Sequence, residues 1–214
     1  MKNEIKHFNG STIYESDSDS LKKAVEEAVE RGVSLSGATL RCADLNSANL
    51  TDADLTSADL DGADLTIANL TEANLTDANL TGADLTGANL IGAKLTSADL
   101  TGADLTGVNL DDAKLANAKL DSVRLCYANL TDANLTGANL TNADLLRANL
   151  DGANLTDADL TDANLADANL IGANLTGANL TNADLLRANL SDADLLRAKL
   201  SDAKLFRVKL DLKH

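Results

Sequence analysis

The chain has 214 residues, a formal net charge of −15 at pH 7, two Tyr, two Phe, no Trp and no Pro. That length suits one ordinary domain, and the acidic balance disfavours nucleic acid and anionic membranes as partners while permitting basic proteins. The 44% hydrophobic content, mostly Leu and Ala in strict order, excludes a disordered acidic chain.

The opening segment, "MKNEIKHFNG", lacks the apolar stretch of a signal peptide. No apolar run approaches the length of a membrane span. A cytoplasmic protein is therefore expected, and the two cysteines fit a reducing compartment. Residues 1–32 read as a separate N-terminal segment. "EIKHF", then Asn9-Gly10, then "STIYES" predicts a β-hairpin with a tight turn. "SDSDSLKKAVEEAVERG" predicts an amphipathic helix. Its Leu21, Ala24, Val25, Ala28 and Val29 share one helical face, Ser18–Ser20 offer caps, and Gly32 suits the helix end.

From residue 33 the sequence repeats. Leu stands at every fifth position from 35 to 210, thirty-six times without an insertion. Two places before each Leu stands Ala, replaced by Val at 33, 108, 123 and 208. The residue just before Leu is mostly Asp or Asn, and the residue just after is most often Thr. A helix would spread such leucines around all sides, and a straight strand would alternate their faces. One inward side is possible only if the chain bends once per repeat. Leu and Ala then point inward from a short extended segment, and the Gly, Asp, Asn and Ser that follow form the corner. Coils stacked about 4.8 Å apart pair their backbones, and open ends need covering. Residues 1–32 are expected to cover the N-terminal end. The period of five does not fix the number of repeats per coil. The 40-residue echo of "GANLTNADLLRANL", at 137–150 and 177–190, is compatible with four.

The A-[DN]-L-x-x units, such as "ADLTS", "ANLTD" and "ADLTG", resemble those of pentapeptide-repeat proteins across residues 33–212. The resemblance implies an all-β solenoid: a right-handed quadrilateral β-helix with four repeats per coil and about nine coils, followed by a tail at 213–214. Nine coils make a column about 43 Å long.

Chemistry-bearing constellations are scarce. His7 and His214 lie at opposite ends, and no His/Cys group has metal spacing. Cys42 and Cys126 stand about four coils apart, roughly 19 Å, beyond disulfide reach, and are read as incidental. The carboxylates occupy outward positions that solubility and turn chemistry explain. No enzyme, cofactor, metal or small-molecule ligand is expected.

The outward ladders say more. With 20 residues per coil, Tyr127, Arg147, Arg187 and Arg207 share one register, and Leu146, Leu186 and Phe206 share the adjacent one. This stripe is the candidate interface, because apolar, aromatic and Arg side chains on a polar surface suit protein contact. Self-association through the C-terminal end is the first expectation. The alternative is a cap in which Leu212 and Phe206 fold over the last coil. Charge is uneven too: residues 42–112 hold 13 acidic side chains against Lys94 alone.

The reading that asks least is a non-enzymatic rigid rod that contacts other proteins. The family resemblance implies a second, an acidic mimic of duplex DNA that binds DNA gyrase. Mimicry predicts inhibition or protection in a supercoiling assay. All thirty-six central residues are Leu where such members often place Phe, no loop interrupts the array, and a hairpin and helix precede it. A third reading is ice binding through Thr56, Thr76, Thr96, Thr136, Thr156 and Thr176, a column that Ala116 interrupts.

Overall fold

The computed structural model describes residues 3–211. A ladder of parallel bridges runs from Thr39–Asp59 to Asn189–Lys209, always between residues twenty apart. Twenty residues therefore complete one coil, and four leucines line each coil. Every Leu from 35 to 190 is at most 3% exposed, and the Ala or Val two places before each is at most 5% exposed from 38 to 188. The core is one continuous column of stacked leucines and alanines.

One repeat accounts for all five of its backbone N–H groups. Ala78 N–H donates to the Leu75 carbonyl at 3.0 Å and closes the corner. Asn79 N–H donates to Ala58 in the preceding coil, while Leu80 and Gly82 donate to Asp99 and Thr101 in the following one. Thr81 N–H donates to the Asn79 side-chain oxygen at 3.2 Å, and the Thr81 hydroxyl donates to the same oxygen at 2.7 Å. Buried backbone donors are rarely left unpaired. The A-[DN]-L-T-G unit meets that requirement with side chains as well as backbone. It also explains why Thr follows Leu: its hydroxyl turns back onto the Asp or Asn two places earlier. The same bond occupies the hydroxyls of Thr56, Thr76, Thr136 and Thr156.

Four of these repeats per coil bring identical residues into register. Asn49 and its successors at twenty-residue intervals form an uninterrupted Asn column up to Asn189. Within it Asn129, Asn149 and Asn169 each donate to the Asn below at 2.8–3.2 Å. On the neighbouring face Asp44, Asp64, Asp84 and Asp104 stack in the same way. Hydrogen bonds from the Thr66 hydroxyl and then its N–H hold the Asp64 carboxyl below the ordinary carboxylate range.

The N-terminal segment holds strand β1 (Asn3–Lys6), strand β2 (Thr12–Ser16) and helix α1 (Leu21–Glu30). The strands pair antiparallel, with Ile5 opposite Tyr14. The connection is wider than a two-residue Asn-Gly turn: ladder pairing ends at Lys6–Thr12, and His7 N–H donates to Ser11. The side of the hairpin away from β2 faces the first coil. His7 bridges Ala38, Thr39 N–H donates to the Lys6 carbonyl at 2.7 Å, and Phe8 N–H donates to Gly37. The outer edge of β1 thus stands where a preceding coil would stand. Ser20 caps α1 by accepting from Lys23 N–H, and Gly32, with φ +67, follows its end. Ala24, Val25 and Ala28 are fully buried. Lys22 Nζ donates to the Asn46 carbonyl and Glu26 accepts from Asn49 N–H, so the helix satisfies coil groups directly.

The opposite end differs. Leu205 and Leu210 are 47% and 48% exposed. Phe206 is 66% exposed and does not cover the last coil. Leu212 and the tail at 213–214 lie outside the described residues. No helix among the described residues is long and apolar enough to cross a membrane.

Candidate functional site

Every corner places its second residue in the left-handed region, with φ between 50° and 72° from Gly37 to Arg207. This is the conformation a type II turn requires at its third residue. Gly adopts it freely, and Asn and Asp tolerate it. Most corners comply by carrying Gly, Asp, Asn or Ser. The exceptions are Cys42, Ile67, Glu72, Tyr127, Arg147, Arg187, Arg197 and Arg207. Ile67, Tyr127, Arg147, Arg187 and Arg207 all belong to one corner column, the one that follows Leu65 and its successors. Ile67, with φ 50, is the costliest, because β-branched residues rarely tolerate this region. Five of the eight such corners therefore fall on one edge of the rod, and Cys42, Glu72 and Arg197 fall on others.

The structure brings all seven candidate interface residues onto this edge. Arg147 Nη1 donates to the Tyr127 hydroxyl at 3.2 Å, and its guanidinium lies 5.7 Å from the ring centroid. Arg187 grips Asp167 through Nε and Nη2 at 2.5 and 2.7 Å, and these hydrogen bonds hold the Asp167 carboxyl below its ordinary value. Arg147 Nε approaches the same carboxylate at 4.0 Å. Arg207 stacks 5.2 Å above the Phe206 ring. Between these side chains Leu146 and Leu186 are half-buried, while Tyr127 remains 56% exposed. The sequence register missed Ile67, which is 61% exposed on the same column, and Asp167, which joins two of the arginines. Ile67 was discoverable as an Ile at a position that elsewhere prefers Gly and Asp.

The remaining chemistry is quiet. Both cysteines are free. Burial, then a hydrogen bond with Asp144, pushes the Cys126 thiol up to about 11, away from the reactive thiolate. A cleft of about 440 Å³ lies on the N-terminal segment, lined by Tyr14, Ser16, Glu27 and Arg31 among others. Its Ser16 hydroxyl donates to Glu27 at 2.6 Å, with no imidazole among its lining residues. Among the described residues no group of three His, Cys, Asp or Glu could hold a metal ion.

The family model described as "Pentapeptide repeats (8 copies)" matches residues 31–66, 68–107, 109–145, 128–167 and 168–207. The chain belongs to the pentapeptide-repeat family. Among solved structures, this pentapeptide-repeat protein is similar to HetL, a pentapeptide-repeat protein involved in heterocyst differentiation regulation from the cyanobacterium Nostoc sp. strain PCC 7120. Identity is 40%, over 84% of each chain, with a TM-score of 0.56. Rfr23, a pentapeptide-repeat protein from the cyanobacterium Cyanothece 51142, is 30% identical over 60% of this chain and 91% of its own, with a TM-score of 0.42. Trypsin-treated QnrB1, a plasmid-mediated fluoroquinolone resistance protein, is 19% identical over 72% of this chain and 80% of its own, with a TM-score of 0.48. Comparison with curated protein sequences gives no significant match.

Proposed function

We propose that this chain is a non-enzymatic, cytoplasmic protein-interaction rod: a right-handed quadrilateral β-helix of nine coils, closed at its N-terminal end by the hairpin and helix of residues 1–32. Its working surface is the corner column from Ile67 to Arg207, with Leu146, Leu186 and Phe206 beside it. The observation that carries this reading is the clustering of bulky residues in left-handed backbone on that one column. Solubility alone would be served by Gly, Asp or Asn at every corner. Arg, Tyr and Phe are also the side chains that protein interfaces favour. The similarity to HetL, which is involved in the regulation of heterocyst differentiation, is compatible with a non-enzymatic role.

Self-association is the first partner to test. Replacing Leu186 and Phe206 together by Glu is expected to convert a dimer to a monomer in light scattering, with an unchanged circular dichroism spectrum. A wild-type protein that already runs as a monomer contradicts self-association. The second reading, mimicry of duplex DNA toward gyrase, draws on the stacked Asp44, Asp64, Asp84 and Asp104, three of which have no ion pair among the described residues. An effect on gyrase supercoiling at submicromolar protein would favour it.

A further inference from the structure

We propose that two copies pair side by side and antiparallel along this corner, about a two-fold axis that passes beside Tyr127. The proposal rests on the interface reading above and adds its register.

Side-chain size changes halfway along the column. Before Tyr127 the corner positions hold Ser47, Ile67, Gly87 and Gly107; after it they hold Arg147, Asp167, Arg187 and Arg207. The first half is largely bare: a Cβ added at Gly107 would meet nothing within 4 Å. The second half projects. Tyr127 is the midpoint, with equal numbers of corners on either side. A two-fold axis across that midpoint lays each half against the other half of its copy. Arg147 then sits over Gly107, Arg187 over Ile67 and Arg207 over Ser47, while Tyr127 meets its own copy.

Charge follows the same gradient. Beside the bare half runs the Asp44–Asp104 column; Arg124 pairs with Asp104, and the other three carboxylates have no ion pair among the described residues. The projecting half carries Arg147, Arg187 and Arg207, and beside it the same column continues as Asp144, Asn164, Asp184 and Lys204. Antiparallel pairing brings the arginines of one chain to the aspartates of the other. Parallel pairing sets Arg147, Arg187 and Arg207 each against its own copy, like charge against like. The stripe spans eight coil steps, about 38 Å, and is one or two side chains wide. That is less than the ~800 Å² per partner of a standard interface, so the pair is weak and salt-sensitive.

Sedimentation equilibrium at micromolar protein tests the register, using wild type, Asp44→Arg, Arg207→Glu and the double variant. Both substitutions suit the backbone: Arg124 occupies the position equivalent to Asp44, and Glu72 adopts the corner conformation with φ 58. Each contact occurs twice in a two-fold pair, so each single reversal is expected to weaken dimerisation about tenfold. The double variant restores it to within about threefold. Asp44 and Arg207 lie at opposite ends of one rod, so only antiparallel pairing couples them. A dimer that Leu186→Glu with Phe206→Glu breaks, but that Asp44→Arg leaves intact, overturns the antiparallel register and keeps the interface reading. A monomeric wild type overturns both.

Discussion

Leu110→Ala is expected to destabilise the rod by about 2–5 kcal/mol, the range for a buried Leu whose cavity cannot collapse. Leu110 is fully buried. Its twenty-residue neighbours, Leu90 and Leu130, are held by their own backbone ladders and cannot move in to fill the space. Leu205→Ala deletes the same atoms from a side chain already 47% exposed. It leaves no enclosed cavity and is expected to cost about 1 kcal/mol or less. Guanidinium unfolding of the two variants measures the difference. Equal losses would mean that the leucine column is not a packed interior.

The second large effect concerns the N-terminal segment. Val25 is fully buried within the same core as the first-coil leucines. Val25→Asp places a carboxylate there without a partner, and an unpaired buried charge costs several kcal/mol. The helix and hairpin are then expected to detach, although the coils keep their own contacts. Detachment uncovers Leu35, Leu40, Leu45 and Leu50 together with a row of backbone groups that pair with β1 and α1. Such an edge recruits other chains. The expected result is concentration-dependent aggregation with protease cleavage confined to residues before 33. A variant that stays soluble and resists cleavage would show that the segment is an appendage rather than a cover.

Much of the fold was legible because it follows from one periodicity. A five-residue Leu spacing that fits neither helix nor strand leaves a chain bent once per repeat, and the Ala two places earlier fixes which face is inward. The twenty-residue coil was not legible from that spacing; it depends on how many corners close a turn. The hairpin was legible from Asn9-Gly10 and the flanking β-formers. Its turn came out wider: His7 stays in the loop, donating to Ser11 and accepting from Gly10 N–H, while the flanking Lys6 carbonyl and Phe8 N–H pair with Thr39 and Gly37 of the first coil. No local pattern encodes a docking site thirty residues away.

The candidate stripe was legible as a register but not as strain. The turn residues at each corner showed where the chain bends. They did not show that the second of the two is left-handed, although the concentration of Gly there was the available signal. With that known, Ile67 and Tyr127 change from outward side chains into residues held against their backbone preference. The role of Thr was half legible. Its surface position followed from the repeat, whereas its hydroxyl bond to the preceding Asp or Asn depends on the rotamer that the folded corner imposes.

Every surface column and the leucine interior require that residues twenty apart lie directly over one another. Engineered disulfides measure it most directly, in a background with Cys42 and Cys126 replaced by Ser. Thr81→Cys with Thr101→Cys puts α-carbons about 4.8 Å apart, inside the disulfide range of about 4.4–6.8 Å. Non-reducing gels should show rapid intramolecular closure for that pair, and none when Thr81→Cys is combined with Thr96→Cys or Thr106→Cys. Closure at a spacing of fifteen or twenty-five residues, with none at twenty, would contradict the four-sided coil and every surface column built upon it.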